Sequence, residues 1–271
     1  MEGNVKSRVG LYLSFAKISI RSQLAHRSAY WAGIVAQWLS YGATFAALYI
    51  MVNSFRVLAG WTPEEVLFLY ALNLLSYALG ASFFFNPCTQ LAGKIRSGEF
   101  DAALTKPVSP FGHEFYMGFN FGYVSHVTLS VGVMVFAAIR VGFRLTPFSA
   151  LIFVLMLAGA ILVQSAFLIA ASAFAFLLVN ENPVFDLLWG FKRFMEYPLP
   201  IYPALLQGFL TFVLPLAFMS FYPAAAILSK ESGTPFHPAV GYSSPLVGVA
   251  LFAFSVLFWN WALTKYQSTG S

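Results

Sequence analysis

The sequence predicts an all-α integral membrane protein with six transmembrane helices. Three observations carry this reading. The chain has 271 residues, 59% of them hydrophobic and only 9% charged, whereas soluble domains are about 45–50% apolar and about 25% charged. Its mean hydropathy is +0.74. Its apolar residues gather in runs of about 20, the length that spans a hydrocarbon core of about 30 Å, and not in the roughly 10-residue alternating segments of a barrel. The polar stretches between the runs are too short to build a soluble domain, so residues 1–271 read as a single transmembrane domain.

The elements follow in order. Basic residues through Arg27 precede any long apolar run, and no short apolar core with a small-residue cleavage site follows them. This is not the pattern of a cleaved signal, so the first hydrophobic segment is expected to remain in place. Within 1–28, Val5, Val9, Leu13, Ala16 and Ile20 share one helical face while Lys6, Lys17 and Arg21 share another. That predicts an N-terminal interfacial amphipathic helix lying in the headgroup plane. Membrane passages are expected at 29–53, 66–86, 115–139, 148–179, 199–229 and 246–264. The fourth run has 32 residues, about 48 Å as a straight helix at about 1.5 Å per residue, so it must tilt or project beyond the lipid. The fifth contains Pro203, Pro215 and Pro223. Proline removes a donor and kinks a helix, and broken backbone at membrane depth needs protein or a cavity around it. A kinked or re-entrant fifth passage is expected. Trp259, Trp261 and Tyr266 close the last span as an interfacial aromatic belt.

The net charge is +5. In a membrane chain such an excess points to cytoplasmic loops and not to nucleic acid. With the N-terminus inside, Lys6, Arg8, Lys17, Arg21, Arg27, Lys94, Arg96, Lys106, Lys192, Arg193 and Lys265 fall on the cytoplasmic side. Arg56, Arg140, Arg144 and Lys230 fall outside. Eleven against four satisfies the positive-inside rule. The chain is expected in a bacterial-type inner membrane with both termini cytoplasmic.

Much chemistry is missing. The six apolar runs contain no Asp, Glu, Lys or Arg, residues that commonly mark ion or proton pathways within a membrane. This weighs against a coupled carrier, although unwound carbonyls can bind sodium without a charge. No G-x-S-x-G or H-E-x-x-H pattern occurs. His26, His113, His126 and His237 are scattered, and one cysteine, Cys88, forms neither an internal disulfide nor a metal cluster. No metal or cofactor is expected on this chain. Asn120 and His126 read as a hydrogen-bonded structural pair, with a place on a translocation path as the lesser reading. Gly118 and Gly122 stand at the spacing of a close-packing helix face. The one Gly-Lys pair, Gly93-Lys94, is followed by Ile95 where a phosphate-binding loop needs Ser or Thr, and Cys88 stands where its first glycine belongs. A pump built on this chain must draw its energy from another subunit.

Between the second and third runs lies the one compact polar device. Asn86-Pro87 reads as a helix start, Lys94 and Arg96 as cations near that helix's end, and Gly98 as its left-handed stop. Glu99 and Asp101 open a second short turn, Leu104 offers an apolar knob facing inward, and Pro107 ends it. A solvated loop is the plain alternative. The defined stops favour a docking elbow over 87–107.

The element Gly98, Asp101, Leu104, Lys106, Pro107 resembles the G-x-x-D-x-x-L-x-[KR]-P segment of the six-helix permeases of ABC-2 type exporters, the small branch with a separately encoded ATPase. The stretch "FKRFMEYPLPIYPALLQGFLTFVLPLAFMSFYPAAAIL", with Tyr197-Pro198, Ile201-Tyr202-Pro203, Pro215 and Tyr222-Pro223, is similar too, as is the order of spans. The resemblance implies that 87–107 is a cytoplasmic coupling helix seated in a groove of the ATPase, with Lys94, Arg96, Gly98, Glu99, Asp101, Leu104, Lys106 and Pro107 as its coupling residues. It implies a second permease subunit (the same chain or another), and two ATPase subunits that carry ATP and Mg. The chain would itself be no enzyme, and would export a small or lipid-like molecule by alternating access. Aromatic residues at 18% and uncharged spans suit an apolar, amphipathic or cationic substrate, the last through cation–π contacts. The alternatives are a non-transporting interaction or assembly module and an ion-coupled carrier.

Overall fold

A computed structural model describes residues 10, 17–18, 20–55, 57–178, 183–230, 234–237 and 239–267. All regular elements among these are helical, apart from one isolated bridge between Leu58 and Trp61. In chain order they are α1 (Arg27–Phe55), α2 (Pro63–Arg96), α3 (Glu99–Leu104), α4 (Pro110–Met117) and α5 (Val124–Val141, entered through a tight turn at Phe121–Tyr123). Then come α6 (Pro147–Ala173, continued by a tight turn at Phe174–Phe176), α7 (Pro183–Lys192, continued at Arg193–Glu196), α8 (Ala204–Gly208), α9 (Phe221–Ile227), α10 (Ala239–Tyr242) and α11 (Ser244–Leu263). Among the described residues, five helical stretches are long and apolar enough to cross a membrane: Arg27–Ser54, Pro63–Arg96, Phe121–Val141, Pro147–Phe176 and Ser244–Leu263. They correspond to the first four expected passages and the last, the third only from Phe121 onward.

Of the expected N-terminal helix, Val5, Lys6, Val9, Leu13 and Ala16 lie outside the described residues. Positions 20–25 are helical, with Arg21 exposed. Gln23 reaches inward, accepting from the Phe121 N–H at 3.0 Å and donating to the Phe119 carbonyl at 3.3 Å.

α2 is the centre of the molecule. Its apolar window is 83% buried, against 17% for α1 and 22% for α11. Its start is set by sequence: Thr62 and Glu65 form a reciprocal cap, the Thr62 N–H donating to the Glu65 carboxylate at 2.7 Å, with Pro63 at the first helical position. Its end corrects one expectation. Asn86-Pro87 does not start a new helix; α2 runs through Pro87 without a break, for 34 residues in all. The next passage is tied to this stretch of α2, the Asn120 N–H donating to the Ser82 carbonyl at 2.8 Å.

The third passage is corrected too. α4 stops at Met117, and the chain is non-helical at Phe119–Asn120 before turning into α5. Gly118 and Gly122 therefore do not share a helix face. Gly118 lies against the Pro87 ring, where any side chain would collide. Asn120 caps the turn by accepting from the Gly122 N–H at 2.8 Å, so it is not paired with His126, which shares a hydrogen bond with the Ser125 hydroxyl at 3.1 Å.

α6 and α11 form the tightest pair. A Cβ on Gly159 would come within 2.7 Å of the Ser244 backbone, and one on Gly248 within 2.6 Å of the Gly159 carbonyl oxygen. The expected aromatic belt divides. Trp261 is half exposed, but Trp259 is buried and packs on Phe111 and Phe176 at centroid distances of 5.1 and 5.0 Å.

No single helix fills the expected fifth passage. Pro203 precedes α8, Pro215 precedes a tight turn at Leu216–Met219, and Pro223 sits inside α9. Between them Phe209–Val213 is wound as a π-helix. The broken chain still travels the length of α2. Trp189 meets Phe85, the Met195 carbonyl accepts from Asn73, and Lys230 reaches Glu65 and the Gly60 carbonyl.

Candidate functional site

Two regions gather the residues that could do work, the elbow at one end of α2 and a charged cavity beside its middle. In the elbow, Gly98 takes φ 73°, the left-handed stop its position asks for. Its N–H donates to the Ile95 carbonyl, and α3 begins at the next residue. Phe100 and Ala103, not Leu104, face inward and are fully buried; Leu104 is 44% exposed and stands outward. Arg96, Glu99, Lys106 and Pro107 are exposed beside it. Lys94 is spent within the chain, in a 2.7 Å ion pair with buried Glu114 of α4. Asp101 accepts a hydrogen bond from the Tyr266 hydroxyl at 2.8 Å, just beyond α11. Phe100 packs edge-on against Phe176, beyond α6, at 5.1 Å between centroids.

The physical content is an anchored surface. α2 enters the elbow as one rod, and the buried face of α3 is fastened to the ends of α6 and α11. Its other face, which carries Leu104, is left exposed.

The cavity was not legible in the sequence. Lys192, Arg193 and Glu196, expected in a cytoplasmic loop or left without a role, instead line a space of about 190 Å³ with Tyr41, Tyr70, Asn73, Leu74, Tyr77 and Trp189. Tyr77 lies about 20 Å along α2 from Pro63 at about 1.5 Å per residue, near the middle of that helix. The Lys192 ammonium rests 3.4 Å from the Tyr77 ring centroid and 4.6 Å from that of Trp189. Three charged residues thus stand beside the middle of α2, brought there by α7 and the turn after it, with Arg193 exposed.

A polar network holds the floor of this cavity. Asn73 donates to the Met195 carbonyl at 3.4 Å and accepts from Gln164 of α6 at 2.9 Å. Ser76 donates to the Met219 carbonyl at 3.3 Å, and Ser220 to the Met195 carbonyl at 2.8 Å. Where the chain leaves helical geometry its carbonyls lose their internal donors, and buried backbone groups must be satisfied. Asn73 and Ser76 of α2 and Ser220 of the broken segment itself do this, with Gln164 of α6 bracing Asn73.

A second space of about 560 Å³ adjoins the first, sharing Tyr41 and Tyr77 as walls. It is lined by Gln23, Gln37, Asn86, Asn120, Tyr123 and His126 among others. Asn120 and His126 thus meet in one cavity without bonding each other. Among the described residues no group of His, Cys, Asp and Glu is placed to hold a metal ion.

Neither the curated proteins nor the solved structures contain a match to this chain. Residues 38–270, by contrast, match the family model described as ABC-2 family transporter protein. That match takes in the long helices, the elbow and the broken segment together, in a multi-pass membrane chain whose class works with an ABC ATPase and is not generally catalytic itself. The chain belongs to the ABC-2 transporter family, as a permease.

Proposed function

We propose that the chain is the membrane subunit of an exporter driven by a separate ATPase polypeptide, which docks on the elbow and drives paired permease subunits between inward-open and outward-open states. The carrying observation is the exposed Leu104 on a short helix whose other face is buried and tied to Tyr266 and Phe176. The absence of a phosphate-binding loop from the sequence gives that surface its purpose. Segment 183–230 is then the fifth of six crossings, broken and re-entrant toward the outer side. Moving Lys192 and Arg193 out of the inner set leaves nine basic residues there against four outside, so both termini remain cytoplasmic in a bacterial-type inner membrane. The cargo is an amphipathic small molecule or lipid-like compound, moved outward, and ATP and Mg sit on the partner.

Charge at mid-bundle removes the sequence argument against an ion-coupled carrier; family membership, not missing charge, now favours the ATP-driven reading. The test is to purify the chain with its neighbours and measure ATP-dependent export from inverted vesicles. Leu104→Asp is expected to abolish export while the protein still inserts and folds, because it places a charge at the centre of the docking face. Wild-type export by that variant, or repeated isolation of the native chain without any nucleotide-binding protein, would sink the proposal.

A further inference from the structure

The charged cavity beside the middle of α2 is lined by more basic than acidic side chains. Lys192 and Arg193 line it against a single carboxylate, Glu196. The ion pairs among the described residues join Lys94 and His113 to Glu114 and Lys230 to Glu65, all elsewhere. Among the described residues Lys192 makes no ion pair; it faces the Glu196 carboxylate only at longer range and rests on the faces of Tyr77 and Trp189.

This arrangement does two things. The ammonium occupies the aromatic faces on which a ligand cation would sit. It also presents that half-buried cation, with the exposed Arg193 beside it, to whatever enters the cavity. A charge withdrawn from water is stabilised by a counter-charge. An apolar groove lies next to this cavity, beyond two aromatic rings. Tyr70, a wall of the charged cavity, packs edge-on against Phe45 at 4.8 Å between centroids. Phe45 in turn lines an apolar groove of about 490 Å³ with Trp38, Leu67 and Phe136. A charged pocket and an oily groove thus share one aromatic partition.

We propose that this pair of spaces binds an amphipathic molecule with an oxyanion headgroup, its carboxylate or phosphate held by Lys192 and Arg193 and its apolar tail lying in the groove. The inference takes from the exporter reading only the notion that this ligand is cargo. It reverses the cationic preference that the aromatic content suggested, because Lys192 has already taken the cation's place.

The test uses the purified full chain in a maltoside detergent and three probes with one tail: dodecanoate, dodecyl phosphate and dodecyltrimethylammonium. Quenching of tryptophan fluorescence reads binding, and Trp189→Phe removes the local signal. Both anionic probes, or one of them, are expected to bind more tightly than the ammonium probe, the better of the two identifying the headgroup. Lys192→Gln is expected to weaken anion binding about tenfold or more, the usual scale for a lost charge-assisted contact, and Lys192→Arg to retain it. Should Lys192→Gln fail to fold, Arg193→Gln supplies the same comparison. Equal binding of the ammonium probe, or anion affinity unchanged in the glutamine variant, overturns the proposal. Binding that persists in a chain without ATP-driven transport would leave this inference standing and remove the exporter reading alone.

Discussion

α6 makes two contacts of opposite kinds, and the contrast explains how this molecule is built. Toward α11 it presents Gly159 to Gly248, backbone against backbone, with no side-chain hydrogen bond across that closest approach. Toward α2 and the broken segment it presents Gln164, bonded to Asn73, which holds the Met195 carbonyl. A continuous helix satisfies its own backbone, so its neighbour need only fit its shape; small residues suffice, as is usual where lipid tails compete with apolar side chains. Broken chain exposes carbonyls that its neighbours must satisfy, so polar side chains appear in the middle of an apolar bundle. The first contact holds two rods together. The second fixes an irregular wall around a cavity.

The comparison can be broken from either side. The largest effect is expected at the seam. Gly248→Leu forces a side chain into the Gly159 backbone, which cannot yield as a side chain could. The cost should reach or exceed the upper end of the about 1–3 kcal/mol typical of overpacking, seen as loss of monodisperse protein or a fall in Tm of about 5 °C or more. Next comes Gln164→Leu, which takes the donor from the buried Asn73 oxygen and should cost about 1–3 kcal/mol. Its thermal shift should be accompanied by faster hydrogen exchange across 193–220, because that wall loses its tie. A Gln164→Leu protein with unchanged exchange there would mean the broken segment holds itself. The smallest effect is expected at the elbow: Tyr266→Phe removes one hydrogen bond to Asp101, about 0.5–1.5 kcal/mol. Stability should hardly change while ATP hydrolysed per molecule exported rises. A drop in Tm without a change in that ratio would make the tether structural only.

Legibility followed locality. Hydropathy sums neighbouring residues, so five long helices could be read directly, and so could the kinks at Pro203, Pro215 and Pro223. Gly98 was legible because a left-handed stop is a property of one residue and its flanks. Pro87 misled, because proline is favoured at a helix start and costs about 3 kcal/mol inside a helix. Its interior place here goes with Gly118 packed on its ring and the Asn120 bond to Ser82, contacts distant in the chain. Leu104 was placed on the wrong side for a related reason. A six-residue helix has too few turns to show which face is apolar, and Phe176 and Tyr266 select Phe100.

By itself, then, the sequence determined a helical membrane chain, its polar elbow and the proline breaks within 199–229, since each depends on residue types within a turn or two. Tertiary structure alone decided that Lys192, Arg193 and Glu196 stand at mid-bundle. Ten helical residues between polar ends look the same in a cytoplasmic loop as beside a long helix. What settles their place is packing against Phe85, Tyr77 and Asn73, residues distant in the chain that no local pattern announces.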